Sequence, residues 1–541
     1  MTTRPTASTV LAPLATRFEV NGAGFSLVAE GEQLFAQAEH GRQRQRVVLA
    51  TGSHHYQAYW TEGPRPGELK LLPFVYLAYD RRLVPRRSVF LTPDSAPPTE
   101  VGWGSSCIQC HSVAGRPGLS ESSTRFDTSV AELGIACEAC HGPAAAHVDK
   151  HRNPLERAIA RVNARGDRML DDTIVNPAKL DAARSTAVCA QCHSLSFPRD
   201  PASFWEHGTA TARPDRPWDT RQLLTMESLR DETGRSPTVN ASVDDLFWRD
   251  GTIRIGGREA NAHYLSPCFT GTSKSTPGSA RTSCLSCHSM HESEPDDQLA
   301  RGKEGDGACT GCHRSFDREA HTHHARTSAG SRCASCHMPR TTFALLGAIR
   351  THRIEVPNVA KAMQGGRLPA CNLCHLDRSL AWTDQRLSAW SGWVAPRTTD
   401  DADDESAAVR WLLSGNAAQR ALAATHLGLD ETRTATGSAW QAPLLAELLV
   451  DPYAAVRYVA ARSLHALPGF ENVAFDFVGP RADHEQARRD VHRRYEQLGG
   501  GERVAPERRD ALLLTREGHS DSAAIAGHTS QRDDRAITIA E

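Results

Sequence analysis

The sequence predicts a mainly α chain with few regular elements at its centre, a small β-containing region at the N-terminus and an α-solenoid segment near the C-terminus. Three observations predict it. Strand-like alternation of apolar and polar residues is confined to residues 17–92. A Cys-x-x-Cys-His pattern then recurs through residues 107–375, with too little sequence between copies to build a conventional side-chain core. Beyond residue 401 cysteine stops, alanine and leucine rise, and two segments repeat at an offset of 37. The expected organisation is an N-terminal region with strands at 1–100, a motif-bearing domain at 101–395, helical repeats at 401–475, and a helix with a disordered tail at 476–541.

The strands are read from "RFEVNGAGFSLVAEG", "RQRVVLATG" and "LKLLPFVYLAYDRRLVPRRSVFL", which are rich in β-branched and aromatic residues. The central pattern is more specific. It occurs at Cys107, Cys110 and His111; Cys137, Cys140 and His141; Cys189, Cys192 and His193; Cys284, Cys287 and His288; Cys309, Cys312 and His313; Cys333, Cys336 and His337; and Cys371, Cys374 and His375. These seven copies use 14 of the 15 cysteines. CxxC is also a zinc half-site, but zinc gives no reason for histidine after every second cysteine. Covalent haem does. The two thiols, one helical turn apart, become thioethers on the haem vinyl groups, and the next residue supplies the proximal iron ligand. The cofactor predicted is haem c, seven per chain, with short helices and loops around stacked porphyrins that supply the buried apolar surface.

The 95-residue interval between Cys189 and Cys284 contains "VDDLFWRDGTIRIGGREANAHYLSPCF", read first as a structural insert and second as a substrate site. In the C-terminal part, "AAQRALAATHL" (417–427) and "AAVRYVAARSL" (454–464) share six of eleven residues, each after a further helix-like segment. Helix pairs of this period resemble HEAT repeats, and "DPYAAVRYVAARSL" carries the likeness. They are expected to cap the haem domain or to receive a protein partner. Residues 517–541 are polar and read as disordered.

Each iron has a second face. The chain has six methionines and 25 histidines, and eleven histidines beyond the seven proximal ones lie between His54 and His352. That surplus favours bis-histidine, low-potential iron. The distal candidates are His147 in "CHGPAAAH", His291 in "CHSMH", His352 in "GAIRTHRIEVP", His55 in "TGSHHYQAYW" and His324 in "EAHTHHA", the last alongside His321 and His323. His426, His465, His484, His492, His519 and His528 fall in the repeats or tail and are not read as ligands.

"ACEACHGPAAAH", "CLSCHSMH", "CASCHMPRTTFALLGAIRTHRI" and "PACNLCH" resemble a family of periplasmic multihaem cytochromes c. Its relatives include the tetrahaem carriers of ammonia oxidation, octahaem hydroxylamine oxidoreductase and nitrite-reducing multihaem enzymes. The resemblance covers roughly residues 50–470. It implies a further CxxCH upstream of the sequence given, so the expected gene start lies earlier, with a signal peptide and an eighth motif before it. The given N-terminus has no apolar run of signal-peptide length, yet haem c attachment takes place outside the cytoplasmic membrane, so the expected location is periplasmic or otherwise exported.

The formal net charge of −2 implies no nucleic-acid partner, and no stretch approaches the roughly 18 apolar residues of a membrane span. Nitrite-reducing relatives carry lysine in C-x-x-C-K, which does not occur here. The first function read from the sequence is therefore an electron carrier, exchanging electrons with other cytochromes or quinol-linked membrane complexes and having no catalytic residue. The second is a redox enzyme acting on a small nitrogen or sulfur compound.

Overall fold

The computed structural model describes residues 2–20, 22–39, 44–97, 99–120, 124–163, 173–208, 213–230, 242–271, 281–291, 297–314, 318–391 and 404–539. The chain forms two units. The first comprises residues 1–86, 98–224 and 278–304, and the second comprises 87–97, 225–277 and 305–541. The region read as one motif-bearing domain is thus shared, four CxxCH motifs lying in the first unit and three in the second.

The mainly α expectation is overturned. Of the described residues 42% are helix and 16% strand, with a nearly closed, antiparallel, barrel-like sheet of seven strands. These are β2 (Arg17–Val20), β3 (Ala23–Glu30), β4 (Gln33–Ala38), β5 (Arg44–Thr51), β6 (Tyr56–Glu62), β7 (Leu69–Leu77) and β8 (Arg82–Pro85), joined in sequence order. A short β1 (Thr2–Thr3) pairs with β5 outside that order. The runs Gln33–Ala38 and Tyr56–Glu62, not among the expected strands, complete the sheet. Tight connections drive the pairing. Val20 opposes Ala23 and Glu30 opposes Gln33, with Gly22 and Gly31 at positive φ in the two-residue loops. One face buries Leu27, Leu34, Tyr59 and Phe74. Phe18 of β2 meets Phe74 of β7 edge-on at 4.8 Å, so the sheet curls back on itself.

Adjacent residues of β6 serve two clusters, because successive side chains on a strand point to opposite faces. Tyr59 joins the sheet interior, while Trp60 packs with Leu49, Trp103 and Ile108. Ile108 lies inside the first CxxCH motif and is fully buried. The sheet therefore anchors that motif directly. The central helix of the first unit, Ala182–His193, is capped by the Asp181 carboxylate on the Arg184 N–H and ends on the third motif.

In the second unit the two aligned repeat segments form the helices Ala417–Leu427 and Ala454–His465, which pack together with Ala407–Ser414 and Gln441–Leu448. Their equivalent arginines, Arg420 and Arg457, are both buried. Arg420 makes a two-pronged ion pair with Asp451, and Arg457 reaches the Asp451 carbonyl and Asp94. The insert packs on these helices. Trp248 stacks on Trp411 with ring centres 5.8 Å apart and donates to the Thr341 carbonyl. The tail read as disordered is instead ordered through residue 539. It forms the helix Ser522–Ser530 and buries Ile525, Ile537 and Ile539, the last bridging to Leu91. Its polar composition concealed three isoleucines that become buried.

Candidate haem sites

Each CxxCH motif occupies a single helical turn, on Ile108–His111, Cys137–His141, Cys333–His337, the end of Ala182–His193, and short turns at Cys284, Cys309 and Cys371. In the last three the first cysteine's carbonyl accepts from both the second cysteine's N–H and the histidine's N–H, at 2.7–3.1 Å. This turn brings both thiols to one side and sets the imidazole beside them, the arrangement that two vinyl groups and one iron require. At the second motif Gly142 ends the helix at φ 75°, and the Glu138 carboxylate takes the Ala144 N–H. The chain then re-enters a helix, Ala145–Arg152, that carries His147 and His151.

Among the described residues, the motif histidines His141, His288 and His337 are oriented by backbone. The Nδ1 of His141 lies 2.7 Å from the Val175 carbonyl, that of His288 2.9 Å from Asp297, and that of His337 2.8 Å from Glu355. A carbonyl only accepts, so Nδ1 carries the proton and Nε2 presents its lone pair, the orientation a metal-bound imidazole needs. At His141 and His337 the contact is reciprocal, since Val175 N–H and Glu355 N–H donate back to the histidine carbonyls. These backbone partners carry no side-chain signal, so the sequence could not announce them. Burial lowers the pKa of His337 and of His375 from the ordinary histidine value.

Among the described residues, imidazoles face one another in pairs. His141 and His291 have ring centres 6.2 Å apart and planes 12° from parallel. His321 and His337 stand at 6.2 Å and 7°, and His324 and His375 at 6.0 Å and 30°. Two imidazoles bound to one metal from opposite sides have ring centres about 6 Å apart, given bonds of about 2 Å and about 1 Å from each nitrogen to its ring centre. Such a pair would hold an iron between its two imidazoles, so the residues present fit haem.

Of the distal candidates, His291 and His324 thus lie opposite motif histidines. His147 sits beside His151 at 4.5 Å, and His55 meets His54 edge-on at 4.6 Å. His352 follows the hairpin of Thr342–Ala344 and Gly347–Ile349 and is half-buried. His321, weighed with His324 but not preferred from sequence, faces His337. Only the packing of its helix, Arg318–Thr322, against the turn that precedes Cys333 separates the two.

The motifs are close neighbours within each unit. In the first, Cys189 meets Cys284, Cys192 meets Cys110, and Cys140 feels Cys189. In the second, Cys309 meets Cys333. Burial, with Cys336 nearby, pushes the Cys371 and Cys374 thiols up to about 12 and about 11. Neutral sulfurs clustered in this way suit thioethers, which carry no charge. Cys268, outside the motifs, is half-buried on the turn Pro267–Thr270.

Residues 277–318, holding the fourth and fifth motifs, match the family described as the doubled CXXCH motif. No curated protein and no solved structure matches the chain. No helix among the described residues is long and apolar enough to cross a membrane. The doubled motif, set among five further copies, indicates a multihaem c-type cytochrome with covalently bound haem c.

Proposed function

We propose that the chain is an electron-transfer protein that carries seven haems, one at each CxxCH motif, and passes electrons between closely spaced bis-histidine irons. The observation that carries this reading is the set of three facing pairs, His141 with His291, His321 with His337 and His324 with His375, all at the spacing of two imidazoles on one metal. Bound haem supplies one-electron cycling between ferric and ferrous iron. The chain's own residues fix His141, His288 and His337 through backbone carbonyls and hold neighbouring sites together. Histidines that hold an iron from both sides would leave no place on it for a substrate. The donors and acceptors are other cytochromes or quinol-linked membrane complexes met after export, and the HEAT-like helices at 407–465 offer a surface for a protein partner.

Electron paramagnetic resonance of the purified holoprotein tests the reading. Low-spin signals alone, unchanged by nitrite or hydroxylamine, are expected, with seven haems per chain by the pyridine haemochrome assay. A high-spin haem that binds and turns over either compound would replace the carrier with an enzyme, and five or fewer haems would end the seven-site reading.

A further inference from the structure

The third motif lies at the crossing of the first unit. Its cysteines neighbour Cys110 of the first motif, Cys140 of the second and Cys284 of the fourth. One side chain within it forms a direct link. Gln191, between Cys189 and Cys192, donates from Nε2 to the Ala139 carbonyl inside the second motif at 2.7 Å. The Gln191 carbonyl in turn accepts from Arg221 Nη1 at 2.7 Å. Arg221 is 7% exposed and sits on the strand Arg221–Leu223, which pairs with Ser196–Pro198 just after the motif's histidine. A buried guanidinium is thereby fixed against the polypeptide of the motif with the most neighbours.

A guanidinium is always charged, and burial strengthens its field. Ferric haem carries one more positive charge than ferrous haem, so a fixed cation beside it disfavours the ferric state. We propose that Arg221 is a positioning residue that raises the reduction potential at the third motif, so that electrons entering the four-motif unit collect at its central site, and that Gln191 fixes the spacing to the second motif. The inference rests on the reading of the CxxCH motifs as haem sites.

The simpler alternative is that Arg221 only caps the last carbonyls of the helix Ala182–His193. Charge separates the two. Arg221→Gln keeps a donor and removes the charge, whereas Arg221→Lys keeps the charge and loses the planar fork. Spectroelectrochemical titration of each holoprotein reads the individual couples, and the haemochrome assay reads haem content. With haem content unchanged, Arg221→Gln is expected to shift one couple to lower potential by roughly tenfold in its ferric-to-ferrous ratio, about 59 mV for one electron, while Arg221→Lys leaves it near the wild-type value. Equal shifts in both variants, or no shift in the glutamine variant, overturn the proposal. If the glutamine variant does not mature, a tenfold shift in the lysine variant does so alone. A Cys189→Ala/Cys192→Ala protein that loses no haem would instead refute the underlying haem reading.

Discussion

The rings of His321 and His337 stand with centres 6.2 Å apart and planes 7° from parallel, and the Nδ1 of His337 is tied to the Glu355 carbonyl at 2.8 Å. His337 is thus fixed in tautomer and orientation, and His321 is set opposite it. Replacing His321 by alanine is expected to convert one haem to high spin and leave the remainder low spin. The same outcome is expected for His291→Ala and His324→Ala, one haem each. Resonance Raman spin-state markers check it, and an unchanged spectrum in any of the three would dissolve that pair.

Ile108 tests how the sheet anchors the first motif. It is fully buried against Trp60 and Trp103, whose rings meet edge-on at 5.3 Å. Ile108→Ala should cost about 2–5 kcal/mol through lost burial and the cavity left behind. Haem attachment at Cys107 and Cys110 should persist, since thioether chemistry does not involve the intervening side chain. Denaturant titration and the haemochrome assay together read both effects.

Arg420 and Asp451 form a fully buried ion pair in a part of the chain without cysteine. Removing one partner strands the other charge. Asp451→Ala should destabilise the second unit by about 3–5 kcal/mol. The spin state of the irons should not change, and calorimetry beside optical spectra separates the two. A loss below about 1 kcal/mol would mean that water reaches the pair.

His426 supplies a pH dependence. Its Nε2–H donates to the Arg340 carbonyl at 3.0 Å, and burial lowers its pKa to about 4, with that carbonyl opposing the shift. The unfolded chain binds this proton near pH 6.5 and the folded chain only near pH 4. The contribution to stability is therefore complete above about pH 6.5 and is lost as pH falls to about 4, on the order of 3 kcal/mol in all. His426→Gln keeps a donor toward Arg340 and cannot titrate. Its unfolding free energy should fall less steeply than that of the wild type between pH 6.5 and 4.5, and parallel curves would exclude the assignment.

The sequence by itself determined the cofactor chemistry, because CxxCH places two thiols and an imidazole within one turn and needs no distant residue to do so. It also determined the two repeat helices, whose identities at Arg420 and Arg457 mark equivalent buried positions, and the presence of strands before residue 92. The tertiary structure decided what depends on partners far apart in the chain. The sheet curls toward closure through contacts such as Phe18 with Phe74, which alternation within single strands cannot specify, and so the mainly α expectation failed. His321 and His324 are three residues apart in one segment, and only packing sends one toward His337 and the other toward His375. The carbonyls of Val175 and Glu355, which orient His141 and His337, are backbone groups with no residue-type signature. The ordered tail follows from Ile537 and Ile539 finding buried positions, a gain in apolar burial that its polar composition hid.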